Sequence, residues 1–194
     1  MVPSGQTTSD ACKEDRIADV SMSGDLTESL RRAGKILVDI LGKLDTIVRP
    51  GESCVKVAER LESLIEEQKA TWAFPVNICI GNIAAHYTPL PDEQTTIPED
   101  EIIKVDIGVS VDGYIVDKAI SLYFGQDDER KALIETANEA LDRAIKVVEP
   151  GRQISDLTYE VYDYVKSRGF KVISNLHGHM IERWIVHGGK DIPI

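Results

Sequence analysis

The chain has 194 residues, a net charge of −11 and a balance of 42% apolar to 28% charged residues, enough for one substantial domain or two small lobes. The negative charge argues against nucleic acid, which is bound by clustered Lys and Arg, and against an anionic membrane surface. No apolar run is long enough to span a bilayer, no leader pattern opens the chain, and Cys12, Cys54 and Cys79 match no metal or redox spacing, which points to a reducing, cytoplasmic setting with Cys54 and Cys79 in the core.

Residues 1–25 are polar and aperiodic and read as a mobile tail. A helical stripe then runs Leu26, Leu30, Ala33, Leu37, Leu41, Leu44, Val48, until Pro50-Gly51 breaks it. A second helix follows with Cys54, Val57, Leu61 and Ile65 on one face, and Glu59, Glu62, Glu66 and Glu67 on a solvated one. Strand-like sequence comes next, FPVNICIGNIAAHYTP, carrying Phe74 and His86.

The segment IIKVDIGVSVDGYIVDKAISL predicts a β-hairpin. Ile103, Val105, Ile107, Val109 and Val111 alternate on one face, and Asp112-Gly113 suits a two-residue turn with φ > 0 at both positions. That turn sets Gly108 opposite Asp117 and Asp106 opposite Ala119. Asp106 and Asp117 then share a face as diagonal neighbours about 7–8 Å apart or less, where they repel unless a cation lies between them. A solvated polar face explains the hairpin alone equally well.

One hundred residues on, the helical pattern returns. Asp127, Asp128 and Glu129 favour a helix N-terminus, Leu133, Ala137, Leu141, Ala144 and Val148 form its stripe, and Pro150-Gly151 breaks it. Ile154, Leu157, Val161 and Val165 form the next helix, and strand-like FKVISNL leads to His179 and His187. Two helices and the break between them, repeated in phase, predict a duplicated α+β fold: residues 26–125 as the first half and 126–194 as the start of the second. The hairpin begins about twenty residues after His86, and the same count from His179 passes Ile194, so the second half is expected to be incomplete.

Together NIAAHYTP, KVDIGVSVDGYIVD and NLHGHMIERWIVHGGKDIP resemble the type 2 methionine aminopeptidases, metallopeptidases of the two-lobed pita-bread fold. Tyr-Thr-Pro after His86 carries the type 2 likeness. The resemblance implies metal-dependent removal of the N-terminal methionine from nascent polypeptides, with the ribosome as a candidate partner and a monomer when complete. It implies two divalent ions, Co²⁺, Mn²⁺ or Fe²⁺ with Zn²⁺ also admissible, since carboxylates and one imidazole make a hard ligand set. By position, Asp106, Asp117 and His179 match three of the five metal ligands, and the remaining two are glutamates from later strands. His86 and His187 match the catalytic histidines that contact substrate without binding metal, while Phe74 and Val186 match the walls of the methionine pocket. Lys118 and His177 depart from the pattern, Lys118 placing a charge on the otherwise apolar face of the hairpin. Trp72 and Trp184 receive no role. A prolidase or aminopeptidase P, and a non-catalytic binding domain of the same fold, are the alternatives. With three ligands of five, the 194-residue chain is expected to bind metal weakly, to be inactive alone and to aggregate.

Overall fold

The computed structural model describes residues 24–193. The expected tail lies outside the described residues except for its last two positions, which are already helical. Helix α1 (Gly24–Leu41) is followed by the single turn α2 (Leu44–Ile47), where the sequence predicted one continuous helix. The chain tightens between them, the Gly42 and Lys43 N–H groups donating to Val38 O and Ile40 O at 3.0 and 2.9 Å. The stripe survives the break: Ala33, Leu37, Leu44 and Val48 are buried, joined by Ile36 and Ile40.

Helix α3 (Cys54–Glu67) starts at Ser53, whose hydroxyl accepts from Lys56 N, and buries Cys54, Val57, Leu61 and Ile65 as predicted. Its acidic face is not uniformly solvated. Glu62 is half-buried and accepts from Val76 N at 3.0 Å, because the chain leaves the sheet there and frees a backbone donor.

Strands β1 (Thr71–Trp72), β2 (Asn77–Ile80), β3 (Ile103–Val111) and β4 (Tyr114–Leu122) form one antiparallel sheet. The register of β3 with β4 is the predicted one, Gly108 opposite Asp117 and Asp106 opposite Ala119. Asp112 and Gly113 close the turn at φ 53° and 84°. Along its other edge β3 pairs first with β2, then with β1. The chain steps away from β3 between those two, and an added Cβ at Gly108 would collide with Phe74 and Ala73. A residue without a side chain at 108 is therefore what lets Phe74 lie across the strand.

Ile103, Val105, Ile107 and Val109 are fully buried against α1 and α3, and the opposite face carries Asp106, Gly108 and Ser110. Lys118, opposite Ile107, does lie on the apolar face of the hairpin, as expected. It is exposed on β4, which pairs with β3 alone among the described residues, so its ammonium stays in water.

Helix α4 (Asp128–Val147), capped by Asp127 accepting from Arg130 N at 2.9 Å, and helix α5 (Ile154–Ser167) repeat the first helices. Helix α5 matches α3 residue for residue at an offset of one hundred. Gly51 and Gly151 adopt φ 88° and 87°, and Ala70 N and Phe170 N close equivalent bonds to Ile65 O and Val165 O. What differs is the cover. The first pair lies under the sheet, whereas Leu133, Leu141 and Val148 are exposed and border an apolar groove of about 580 Å³. Phe170–Asn175 is not the strand its composition predicted, since no neighbouring strand among the described residues offers it a ladder. Among the described residues of this half, β5 (Gly178–His179) pairs with β6 (Asp191–Ile192), and a single bridge joins Glu182 to Ile185.

Candidate metal centre

A cavity of about 320 Å³ opens on the polar face of the sheet, lined by Phe74, Asn77, His86, Asp106, Asp117, His179, Val186 and His187. All seven candidate site residues are in that list, drawn from segments more than a hundred residues apart. The carboxylates arrive from the hairpin: period two places Asp106 of β3 and Asp117 of β4 on one face, away from the packed valines and isoleucines. His179 enters from β5, where its partner is Asp191 of β6. His179 Nε2 lies 3.6 Å from Asp117 Oδ2. Rings then converge, His179 and His187 at 4.3 Å between centroids and His86 and His187 at 6.2 Å.

His86 stands at φ 64°, an unfavourable conformation for a residue with a Cβ, and the residues that follow it are tied down. The next residue is fixed by Ile78 N donating to Tyr87 O at 2.8 Å and by Tyr87 OH donating to Glu93 Oε2 at 2.7 Å. Asn77 adds a third tie. Its Nδ2 donates to Pro75 O and to Thr88 Oγ1, both at 2.9 Å, joining the strand opposite Asp106 to the loop behind His86. Asn77 is buried and lines the cavity, yet sequence reasoning passed over it. Its one signal was a polar residue at an inward position of a short apolar strand.

Burial, and then the charge of Asp117, push the Asp106 carboxyl above the usual carboxylate range, while His86, His179 and His187 together pull it back only in part. The wall of the cavity is thus short of positive charge. A metal ion fits that deficit. Donors sit near 2 Å from an ion, so two donors sharing one lie about 3 Å apart, and the Asp117–His179 gap is of that order while too long for a hydrogen bond. Among the described residues no three His, Cys, Asp or Glu side chains close on a single point, so this chain's donors form an open wall and not a finished cage. Also in that wall, His179 Nδ1 is buried without a hydrogen-bond partner among the described residues. His177, two positions earlier, is turned toward the apolar groove and not this cavity.

Residues 28–193 match the model of metallopeptidase family M24. The chain belongs to that family. Its M24 domain is 42% identical over 166 residues to a methionine aminopeptidase of Pyrococcus abyssi, covering 86% of this chain and 56% of the relative. Against a methionine aminopeptidase of Methanothermus fervidus it is 36% identical, covering 86% of this chain and 94% of that protein. The crystal structure of methionine aminopeptidase from Thermotoga maritima superposes with a TM-score of 0.81 at 26% identity, over 88% of this chain and 71% of that one. Prolidase from Pyrococcus furiosus shares the fold, with a TM-score of 0.76 at 20% identity over 88% and 51% of the two chains. The pita-bread fold expected from the sequence is therefore that of the family. The chain spans about 56% of the length of several of the curated M24 relatives it matches. No described helix is long and apolar enough to cross a membrane.

Proposed function

We propose that this site serves a metal-dependent methionyl aminopeptidase. The observation that carries the reading is one cavity that combines two carboxylates, three histidines and an apolar wall. Asp106, Asp117 and His179 would hold divalent metal, of which Co²⁺, Mn²⁺ or Fe²⁺ suits the hard donor set. A bound pair of such ions supplies Lewis acidity and a water that loses its proton near neutral pH. Phe74, laid over Gly108, and Val186 receive an unbranched apolar side chain, which suits methionine. His187 donates a hydrogen bond to the oxygen that gains charge at the scissile carbonyl, a role that contributes about 2.7–4 kcal/mol. His86, fixed at its strained φ, contacts the substrate beyond the methionine.

Three donors make a weak site, so the 194-residue chain is expected to bind divalent ions loosely and to turn over far below the roughly 1 s⁻¹ of ordinary enzymes. Titration calorimetry with Co²⁺ tests the donors: Asp117→Asn abolishes binding and His187→Ala retains it. Equal loss in both variants would make His187 a ligand and overturn its oxyanion role. With Co²⁺ present, Met-Ala-Ser should perturb the Phe74 and Val186 resonances and Ala-Pro-Ala should not. The opposite preference would favour a prolidase.

A further inference from the structure

The loop that brings His179 and His187 to the cavity has little core of its own. Met180, Trp184 and Ile185 are all exposed, Trp184 by 68%. Its backbone folds into a small hairpin: Met180 N donates to Lys190 O, while Glu182 N and Ile185 N exchange bonds with each other's carbonyls at 2.9 and 3.0 Å. Arg183 and Trp184 are the tip. That tip meets another tip, the Asp112-Gly113 turn of the carboxylate hairpin.

Four contacts join them. Trp184 N donates to Gly113 O at 2.8 Å, and Arg183 Nε donates to Asp112 O at 3.0 Å. The Arg183 guanidinium also stands 4.8 Å from the centre of the Tyr114 ring. The indole lies so close that an added Cβ at Gly113 would overlap it. Trp184 is held at φ 67°, a backbone conformation that residues with a Cβ rarely adopt unless their surroundings enforce it. A large apolar ring left mostly in water, on a strained backbone, is not explained by core packing. It is explained by docking.

We propose that Arg183 and Trp184 are positioning residues: they clip the histidine loop to the carboxylate turn and so set His179 and His187 against Asp106 and Asp117. The carboxylates and the two loop histidines are otherwise carried by separate hairpins, and the Asp117–His179 approach cannot fix both rings by itself. Turn and loop thus act as a registration peg between the first half of the fold and the second. The metal consequence rests on the function proposed above, and the ring geometry does not.

The test uses the 194-residue protein without metal and with Co²⁺. In wild type, a nuclear Overhauser contact joins the His86 and His187 rings, which come from the two halves of the fold. Trp184→Ala and Arg183→Ala should each lose it and weaken Co²⁺ binding by about tenfold or more, the usual cost of losing support behind a ligand. Trp184→Phe, which keeps a ring over Gly113, should restore both. Hydrogen exchange at Val105 and Val109 should not change, which separates misplacement from unfolding. Retained ring contact together with unchanged affinity in Trp184→Ala would overturn the clip. If wild type binds no Co²⁺, the metal reading fails, and the ring contact alone decides the clip, its loss upholding it and its persistence refuting it.

Discussion

Single side chains behind the site decide its shape, and several were invisible as such in the sequence. Asp106, Asp117 and the turn glycine could be placed because period-two alternation leaves no freedom once the turn is known. Asn77 and Glu62 could not. Both satisfy backbone or hydroxyl groups freed where the chain steps around Gly108, and that step is a tertiary event with no periodic signature. Gly108→Ala tests the step: the new methyl meets Phe74, and overpacking of this kind costs about 1–3 kcal/mol, to be read from urea denaturation. Cys54 offers a second test. It is 1% exposed, and burial, with Glu93 adding to it, pushes its thiol from 9.0 up to about 11. The unfolded chain ionises first, so the stabilisation from Cys54 is complete below pH 9 and is lost as pH rises toward 11. Iodoacetamide at pH 8 should label Cys54 in the native protein at least about a hundredfold more slowly than in urea.

At the level of elements, the helix pairs and the hairpin were legible, whereas Phe170–Asn175 reads as a strand and forms none. Helices satisfy their own backbone, so an amphipathic stripe suffices to predict them, whether or not anything covers it. The second stripe shows this: Leu141 and Val148 obey the pattern and remain exposed. A strand needs a neighbour, and β-rich composition alone cannot supply one. The break in the first helix at Gly42 was missed because the apolar spacing continues through it. The two Pro-Gly breaks make a paired prediction. Gly51 and Gly151 share φ near 88° with open space where a Cβ would stand, so alanine at either costs backbone strain alone, about 1–2 kcal/mol. Matching losses in the two variants would support equivalent roles, and a neutral Gly151→Ala would show that the second break carries no constraint.

Across the molecule, the two halves differ in how much each buries. The first encloses its helices under four strands, whereas the second leaves an apolar groove between α4, α5 and the Phe170–Gly178 segment. Opening free energies should follow that difference: amides of β3 should exchange only on global unfolding, and those of α5 by a cheaper local opening. Equal protection in both would mean that they unfold as one unit. The groove should also bind anilinonaphthalene sulfonate, and Ile145→Glu, at a position 60% exposed, should diminish the fluorescence without lowering stability.

One consequence concerns where this polypeptide tolerates surgery. By length and by its Asp-Gly sequence, the turn at 112–113 is where an engineer would place an epitope, a fluorophore or new chain termini, because tight hairpin tips normally accept them. Here the tip is a socket. Gly113 must be bare for the indole, and the Asp112 and Gly113 carbonyls are both occupied by the opposing loop. A graft there would leave the strands paired and still spread the histidines from the carboxylates, whereas the open break at Gly151 would accept the same graft without touching the cavity.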